Sequence, residues 1–379
     1  MNADHPNAPN PPSLVNLIHD IVYNGTNIKE FKVCSENFGT LIPLPCSLFK
    51  KQSLEVLEVY TPQGIFLGDV VQSHYKHPNL RKLVIRFREC DLKLFENIVK
   101  FCPLLEILRF HVEMLTKFKG SIKINAQNLS CLVVNLVSEE YSLDKSKIIL
   151  DTPKLEYFEV HSPSMVKFCF LKTPSGLMKA KLFLGDGHQS IHLYSKHLMS
   201  IFNPIFRVKI LKISGDLLVA LSNPNVLVEV FHKLSHLEMT LSCSLSWHAT
   251  KYFLGKCPNL ESLVLKKTGK AKWSGTILWS EFELLPHCLH NKIQRIELRD
   301  CLCKVPELVL FRYIFGVAKN LKMFYITIER EEVDEIGKIM NVEELRKIMI
   351  VEELGQLSKK LPKCEINFCD ENGQKLWST

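Results

Sequence analysis

The chain has 379 residues, 46% of them hydrophobic and 23% charged, and a formal net charge of +8. That balance fits a folded protein and argues against a disordered one, while the absence of a long apolar run argues against a membrane-spanning helix. Thirteen cysteines with no secretory signal in the opening MNADHPNAPNPPS imply reduced thiols and an intracellular (cytoplasmic or nuclear) protein, leaving the sequons at Asn24 and Asn128 idle.

In chain order, residues 1–12 read as a flexible tail. Ser13 then caps a helix with Leu14, Leu17, Ile18, Ile21 and Val22 on its apolar side, ending near Gly25. From there one phrase recurs. Its clearest copy is KCPNLESLVL at 256–265, where Leu260, Leu263 and Leu265 give the L-x-x-L-x-L pattern of a leucine-rich repeat. The last two positions share one strand face, and the first turns inward at the strand entrance. The phrase begins at Ile28, Leu54, Leu80, Leu105, Leu129, Leu155, Leu177, Val208, Leu234, Leu260, Ile293 and Leu321, at intervals of 22 to 33 residues. Met165, Phe168 and Phe170 also match, but only 10 residues after Leu155, and read as a bulge or half-repeat.

Pro78, Pro103, Pro153 and Pro258 each stand two residues before a first-position Leu, ending what precedes and starting a strand. Cys102 and Cys257, just ahead of two of them, read as small buried corner residues. Units that each present one apolar stripe must stack to bury it, so the predicted fold is α/β: a leucine-rich-repeat solenoid, or horseshoe, of about 12 irregular repeats. A parallel sheet lines its inner face. Apolar spacing over 92–101, 249–255 and 226–232 predicts helices on the convex side.

Toward the C-terminus, Glu307 to Lys319 reads as a helix with Leu310, Tyr313, Ile314 and Val317 inward, followed by a strand at Leu321. KIMNVEEL at 338–345 and KIMIVEEL at 347–354 read as a local duplication that lengthened a helix, and Leu361, Cys364, Ile366 and Phe368 supply a last strand. The domains expected are a tail (1–12), a capping helix with repeats (13–285) and a C-terminal region (286–379).

Two passages resemble the plant F-box proteins that carry leucine-rich repeats and a C-terminal FBD domain. Leu44-Pro45, Leu48-Phe49 and the following SLEVLEV look like the family's opening repeat passage. Trp279, Pro286, Cys288, Leu289, Ile293, Ile296, Leu298, the segment Glu307 to Phe315, Asn320, Leu321 and the segment Leu361 to Phe368 look like the FBD pattern, without its glycine near Cys301-Leu302-Cys303. No segment resembling the F-box, which docks a Skp-type adaptor of a cullin ubiquitin ligase, is found ahead of the repeats. The resemblance therefore implies the substrate-recognition half of such a protein, with a protein substrate or regulatory partner.

Chemistry is sparse. His188, His192 and His197 have metal-like spacing but no general-base Glu, and the Gly185-Asp186-Gly187 turn marks a loop. Cys301 and Cys303 lack a second pair. No nucleotide or nucleophile motif appears, Lys and Arg form no long run that would suit nucleic acid, and neither enzyme activity nor a cofactor is expected.

What remains is the inner strand face. After the third apolar position the column reads Tyr60, Arg86, His111, Asn135 and His161, with Lys82, Arg88 and Arg109 beside it. A merely solvated face would also carry polar groups, yet Val56, Val84, Ile107, Val133 and Val264 share it, as in an interface core. The favoured occupant is an acidic protein segment. The alternative is a small anionic ligand held by Lys82, Arg86, Arg88 and Arg109.

Overall fold

The computed structural model describes residues 14–34, 42–43, 48, 51–60, 65–66, 77–90, 92–115, 120–137, 146–162, 167–184, 200–222, 229–241, 244–268, 285–301, 305–328, 340–370 and 372–378. They form two compact units, 1–156 with 168–176, and 157–167 with 177–379.

In the first unit, helix α1 (Leu14–Asn24) precedes strand β1 (Glu30–Cys34), the short β2 (Ile42–Pro43), β3 (Val56–Tyr60), the short β4 (Ile65–Phe66) and β5 (Lys82–Cys90). Helix α2 (Leu92–Phe101), β6 (Ile107–Leu115), β7 (Gly120–Asn125), β8 (Cys131–Leu136) and β9 (Ser146–Asp151) follow. The main sheet runs β1-β3-β5-β6-β8 and is parallel throughout. Phe31, Leu57, Leu83, Leu108 and Leu132 stand opposite one another in successive strands, as do Val33, Val59, Ile85, Phe110 and Val134. All are buried except the half-buried Val33. These are the second and third positions of the predicted phrase, so the register of the sheet is the register of the sequence pattern.

The second unit repeats the arrangement. Strands β10 (Tyr157–Ser162), β12 (Lys179–Leu184), β13 (Ile210–Ser214), β14 (His236–Leu241), β15 (Ser262–Lys267), β16 (Arg295–Cys301), β17 (Met323–Ile328) and β18 (Glu365–Cys369) pair in that order and in parallel. An antiparallel edge strand, β19 (Lys375–Ser378), closes the series. Helices lie between strands: α3 (200–205), α4 (Gly215–Leu221), α5 (Ser244–Gly255), α6 (His287–Asn291), α7 (Val305–Val317) and α8 (Met340–Ser358). Phe202, Phe206, Phe231 and Phe253 form a chain of rings with centroids 6.2, 5.0 and 5.1 Å apart. No described helix is long and apolar enough to cross a membrane.

Most rungs are joined to the next by the same device. Just after the first apolar position, one carbonyl accepts two N–H groups from the following rung: Lys29 from Glu55 and Val56, Glu55 from Arg81 and Lys82, Arg81 from Glu106 and Ile107. In the second unit Lys209, Ser235, Glu261 and Gln294 do likewise. The preceding corner is a turn in which Leu80, Leu105, Leu155 and Leu260 donate to the carbonyls of His77, Cys102, Thr152 and Cys257, so the prolines occupy the turn position that suits their fixed φ. The Asn before the Leu adds a cross-link: Asn79, Asn128, Asn259 and Asn320 donate to the carbonyls of Gln52, Pro103, His232 and Asn291. Cys102 and Cys257 are buried at these corners, as expected, and burial pushes the Cys102 thiol up to about 12.

The structure adds to and alters the expectations. The spacers after β6 and β8, to which the sequence pattern assigns no element, hold strands, and with β11 (Lys167–Phe170) these form a second sheet in the order β11-β9-β7. Ile122, Ile124, Ile148, Leu150 and Phe168 are buried at alternating positions, which is a strand period. The extra Phe168-Phe170 match is therefore a strand of that sheet and no half-repeat. Residues 229–232, expected in a helix, are not helical; the Phe231 N–H donates to the Lys256 carbonyl. On α1, Ile18 and Val22 are buried but Ile21 faces outward at 49% exposure. Strand β16 bulges beside Asp300, which adopts φ 58°, a left-handed conformation that Asp tolerates better than most residues, near the site where the resemblance called for glycine. Ser13, the His188–His197 segment, Trp279 and Cys303 lie outside the described residues.

Candidate interaction face

Because strand side chains alternate, the residues between the buried positions all emerge on the opposite face of each sheet. In the first unit they make an ordered grid. One column carries Val56, Lys82, Ile107 and Cys131; the next carries Lys32, Glu58, Val84, Arg109 and Val133; a third includes Arg86, His111 and Asn135. Val56, Val84, Ile107 and Val133 are half-buried there, as the sequence pattern predicts for an outward apolar set.

The predicted cations do not act alike. The Lys82 ammonium sits 2.9 Å from a Glu58 carboxylate oxygen, and Lys32 reaches the same oxygen at 4.0 Å. Arg86 donates to one Glu113 carboxylate oxygen at 3.1 and 2.5 Å and to the Tyr60 hydroxyl at 3.2 Å, while its guanidinium lies 5.3 Å from the Tyr60 ring centroid. Tyr60 meets His111 edge-on, with centroids 6.3 Å apart. So Lys82 and Arg86 are already compensated, which corrects the expectation of a simply basic patch. Glu58 and Glu113 were overlooked because each lies 24 or 27 residues from its partner, one repeat away along the chain. Arg88 and Arg109 are exposed and make no ion pair or hydrogen bond among the described residues.

His161 stands in the second unit, with different neighbours. Its Nε2 is 2.7 Å from Glu159 Oε1, and its ring stacks on Phe183 with centroids 4.5 Å apart. Glu159 also accepts from the Tyr157 hydroxyl and from Lys181 at 3.0 Å. Burial alone would raise the Glu159 pKa, but the hydrogen bonds from His161, Tyr157 and Lys181 outweigh it and hold the carboxyl at about 2.

The rest of the second unit's grid carries several charge pairs. Lys212 meets Glu238, Glu238 also faces Arg299 at 3.9 Å, and Glu297 takes Arg299 at 2.6 Å and Arg295 at 3.2 Å. Arg295 covers the Tyr325 ring at 4.7 Å. Val264 is the one aliphatic residue in the middle column, which otherwise reads Glu159, Lys181, Lys212, Glu238, Glu297, Tyr325 and Asn367. Among the described residues no cluster of three or more His, Cys, Asp or Glu is arranged to hold a metal.

Parallel sheets with a buried leucine-type skeleton and an outward face of alternating residues define a leucine-rich-repeat protein. The family of leucine-rich repeats of the FBD-associated F-box protein At5g56370 matches residues 23–173. F-box/LRR-repeat protein At3g58980 of Arabidopsis thaliana is 27% identical over 245 residues, covering 60% of this chain and 40% of that protein. FBD-associated F-box protein At4g13985 of Arabidopsis thaliana is 25% identical over 224 residues, 56% of this chain and 46% of that one. F-box/FBD/LRR-repeat protein At5g22700 of the same plant is 23% identical over 249 residues, 60% and 52% respectively. Over these stretches the chain is similar to plant F-box/FBD/leucine-rich-repeat proteins. It spans about half the length of the curated relatives it matches. No solved structure matches it.

Proposed function

We propose that the chain is a non-catalytic protein-interaction scaffold, resembling the substrate-recognition part of an F-box ubiquitin-ligase adaptor, and that it holds its protein partner on the outward face of the first unit's sheet. The reading includes a horseshoe of about 12 irregular repeats, an FBD-like C-terminal region at 286–379 and an intracellular setting. The names of the relatives support the class. The observation that carries the location is the set Val56, Val84, Ile107 and Val133, half-buried and outward, among charged and aromatic residues held in fixed positions by their own pairs. An apolar centre with an ordered polar surround is what a protein interface uses, and a partner of ordinary size needs a broad face more than a pocket.

The test is affinity capture of the tagged chain from the native tissue with mass spectrometry, comparing wild type, Val84→Arg in the first unit and Val264→Arg in the second. Loss of a reproducible partner in Val84→Arg alone, with unchanged thermal unfolding, supports the proposed face. The same proteins recovered with all three chains would remove it. Recovery of a Skp-type adaptor and a cullin decides the ligase part separately.

A further inference from the structure

Resting on that reading of the first unit's face, we infer that the partner presents an extended acidic segment, in which a carboxylate is flanked on both sides by aliphatic side chains and seats on Arg109 between Val84 and Val133.

The inference comes from subtracting the charges the face has already used. Glu30 is taken by Lys32, Glu58 by Lys82 and Lys32, and Glu113 by Arg86. Those groups satisfy one another and need nothing from outside. Arg109 and Arg88 remain, exposed and with no ion pair among the described residues. Arg109 lies on β6, inside the sheet, and its neighbours in register are Val84 on β5 and Val133 on β8.

Adjacent strands lie about 4.8 Å apart, so an aliphatic, a cationic and an aliphatic side chain follow one another across roughly 10 Å of the face. Ile107, two residues from Arg109 on the same strand, extends the apolar ground. A guanidinium bracketed by hydrocarbon offers two parallel N–H donors in a setting partly shielded from water. A carboxylate meets it with two acceptor oxygens and the opposite charge, whereas an amide offers one acceptor and no charge, and an ammonium repels it. In an extended peptide, side chains on one face recur every second residue at about 6.6–7 Å, so residues at i−2 and i+2 can lie on the aliphatic ground while the residue at i meets Arg109. A basic segment would meet two uncompensated cations, and a wholly apolar one would leave Arg109 desolvated without a partner.

The test uses arrays of 15-residue synthetic peptides displayed at high density. Each carries Leu at i−2 and i+2 around a central Glu, Gln or Lys on a Ser/Gly background, and is probed with the intact tagged chain. The expected result is about tenfold greater retention on Glu-centred than on Gln- or Lys-centred peptides, the gap that a bidentate Arg–carboxylate contact supplies. Arg109→Glu should reverse the order in favour of Lys, and Arg109→Gln should flatten it, with thermal unfolding recorded for both. Equal retention on all three centres, no retention on any, or a Glu preference unchanged in Arg109→Glu overturns the inference. If one of those results is found while Val84→Arg still abolishes partner capture from tissue, the face stands and only the acidic segment falls. If Val84→Arg has no effect on capture either, the face itself is wrong.

Discussion

The two units share one pattern of buried strand positions and differ in how their middle outward column is filled. In the second unit most of the middle column is charged, and Glu159, Lys212, Glu238 and Glu297 find partners one rung away or two residues along their own strand. In the first unit the corresponding column carries Val84 and Val133 on either side of an uncompensated Arg109. A self-compensated surface has little to gain from a partner, because binding would desolvate pairs that are already satisfied. A surface with half-buried aliphatics and a spare guanidinium gains from one. Where the strands are alike, the outward residues are what distinguish the proposed face from the rest.

That comparison breaks first if the shared skeleton is wrong. Leu263 is 2% exposed on β15, opposite Leu237 and Ile296. Leu263→Asp should cost more than about 4 kcal/mol and abolish cooperative unfolding followed by circular dichroism, since it forces a carboxyl into the strand core. A retained sharp transition would mean that this position does not face inward.

The compensated face is tested at Glu159. Glu159→Gln should lower stability by about 2 kcal/mol at neutral pH, because it removes hydrogen bonds to a half-buried carboxylate and strands Lys181. The pH dependence sharpens it. The folded carboxyl titrates at about 2 against 4.5 when unfolded, so its contribution is complete above about pH 4.5 and is lost as pH falls toward 2. Denaturant unfolding from pH 6 to pH 2.5 should show a shallower loss in the Gln variant than in wild type; parallel curves would show that the Glu159 network contributes nothing.

Smaller effects separate framework from face. Asn259→Ala removes one donor to the His232 carbonyl and should cost about 0.5–1 kcal/mol in a chemical-denaturation midpoint. Arg109→Ala should change stability by no more than about 0.5 kcal/mol, being an exposed residue with no ion pair among the described residues. A larger loss there would mean that Arg109 belongs to the framework.

The skeleton was readable because burial on one strand face forces a period that survives any choice of outward residue. Leu263 and Leu265 are both 2% exposed, and α2 begins and ends where its apolar spacing predicts. The second sheet is not legible from the repeat phrase, because Ile122 and Ile124 alternate over too short a stretch to stand out between two strong copies of it. The direction of the outward side chains is legible in the sequence, and their charge pairing is not. Periodicity tells which way Arg86 points, but only the paired strands reveal that Glu113, 27 residues on, answers it. The corner asparagines went unnoticed for a related reason: Asn79 and Asn259 look like ordinary turn residues until the next rung supplies the carbonyl they reach.

The carbonyl that receives two N–H groups from the following rung has a consequence for how such a chain can change. Because Glu55, Arg81, Ser235 and Glu261 each index the next strand at its start, the alignment of the sheet is reset at those steps and does not depend on what the chain did in between. Spacers of unequal length can then be added, trimmed or duplicated, as in the twin segments 338–345 and 347–354, with only a slowly growing entropic cost. The outward grid is insulated from that history, so the face and the scaffolding behind it are free to evolve at different tempos.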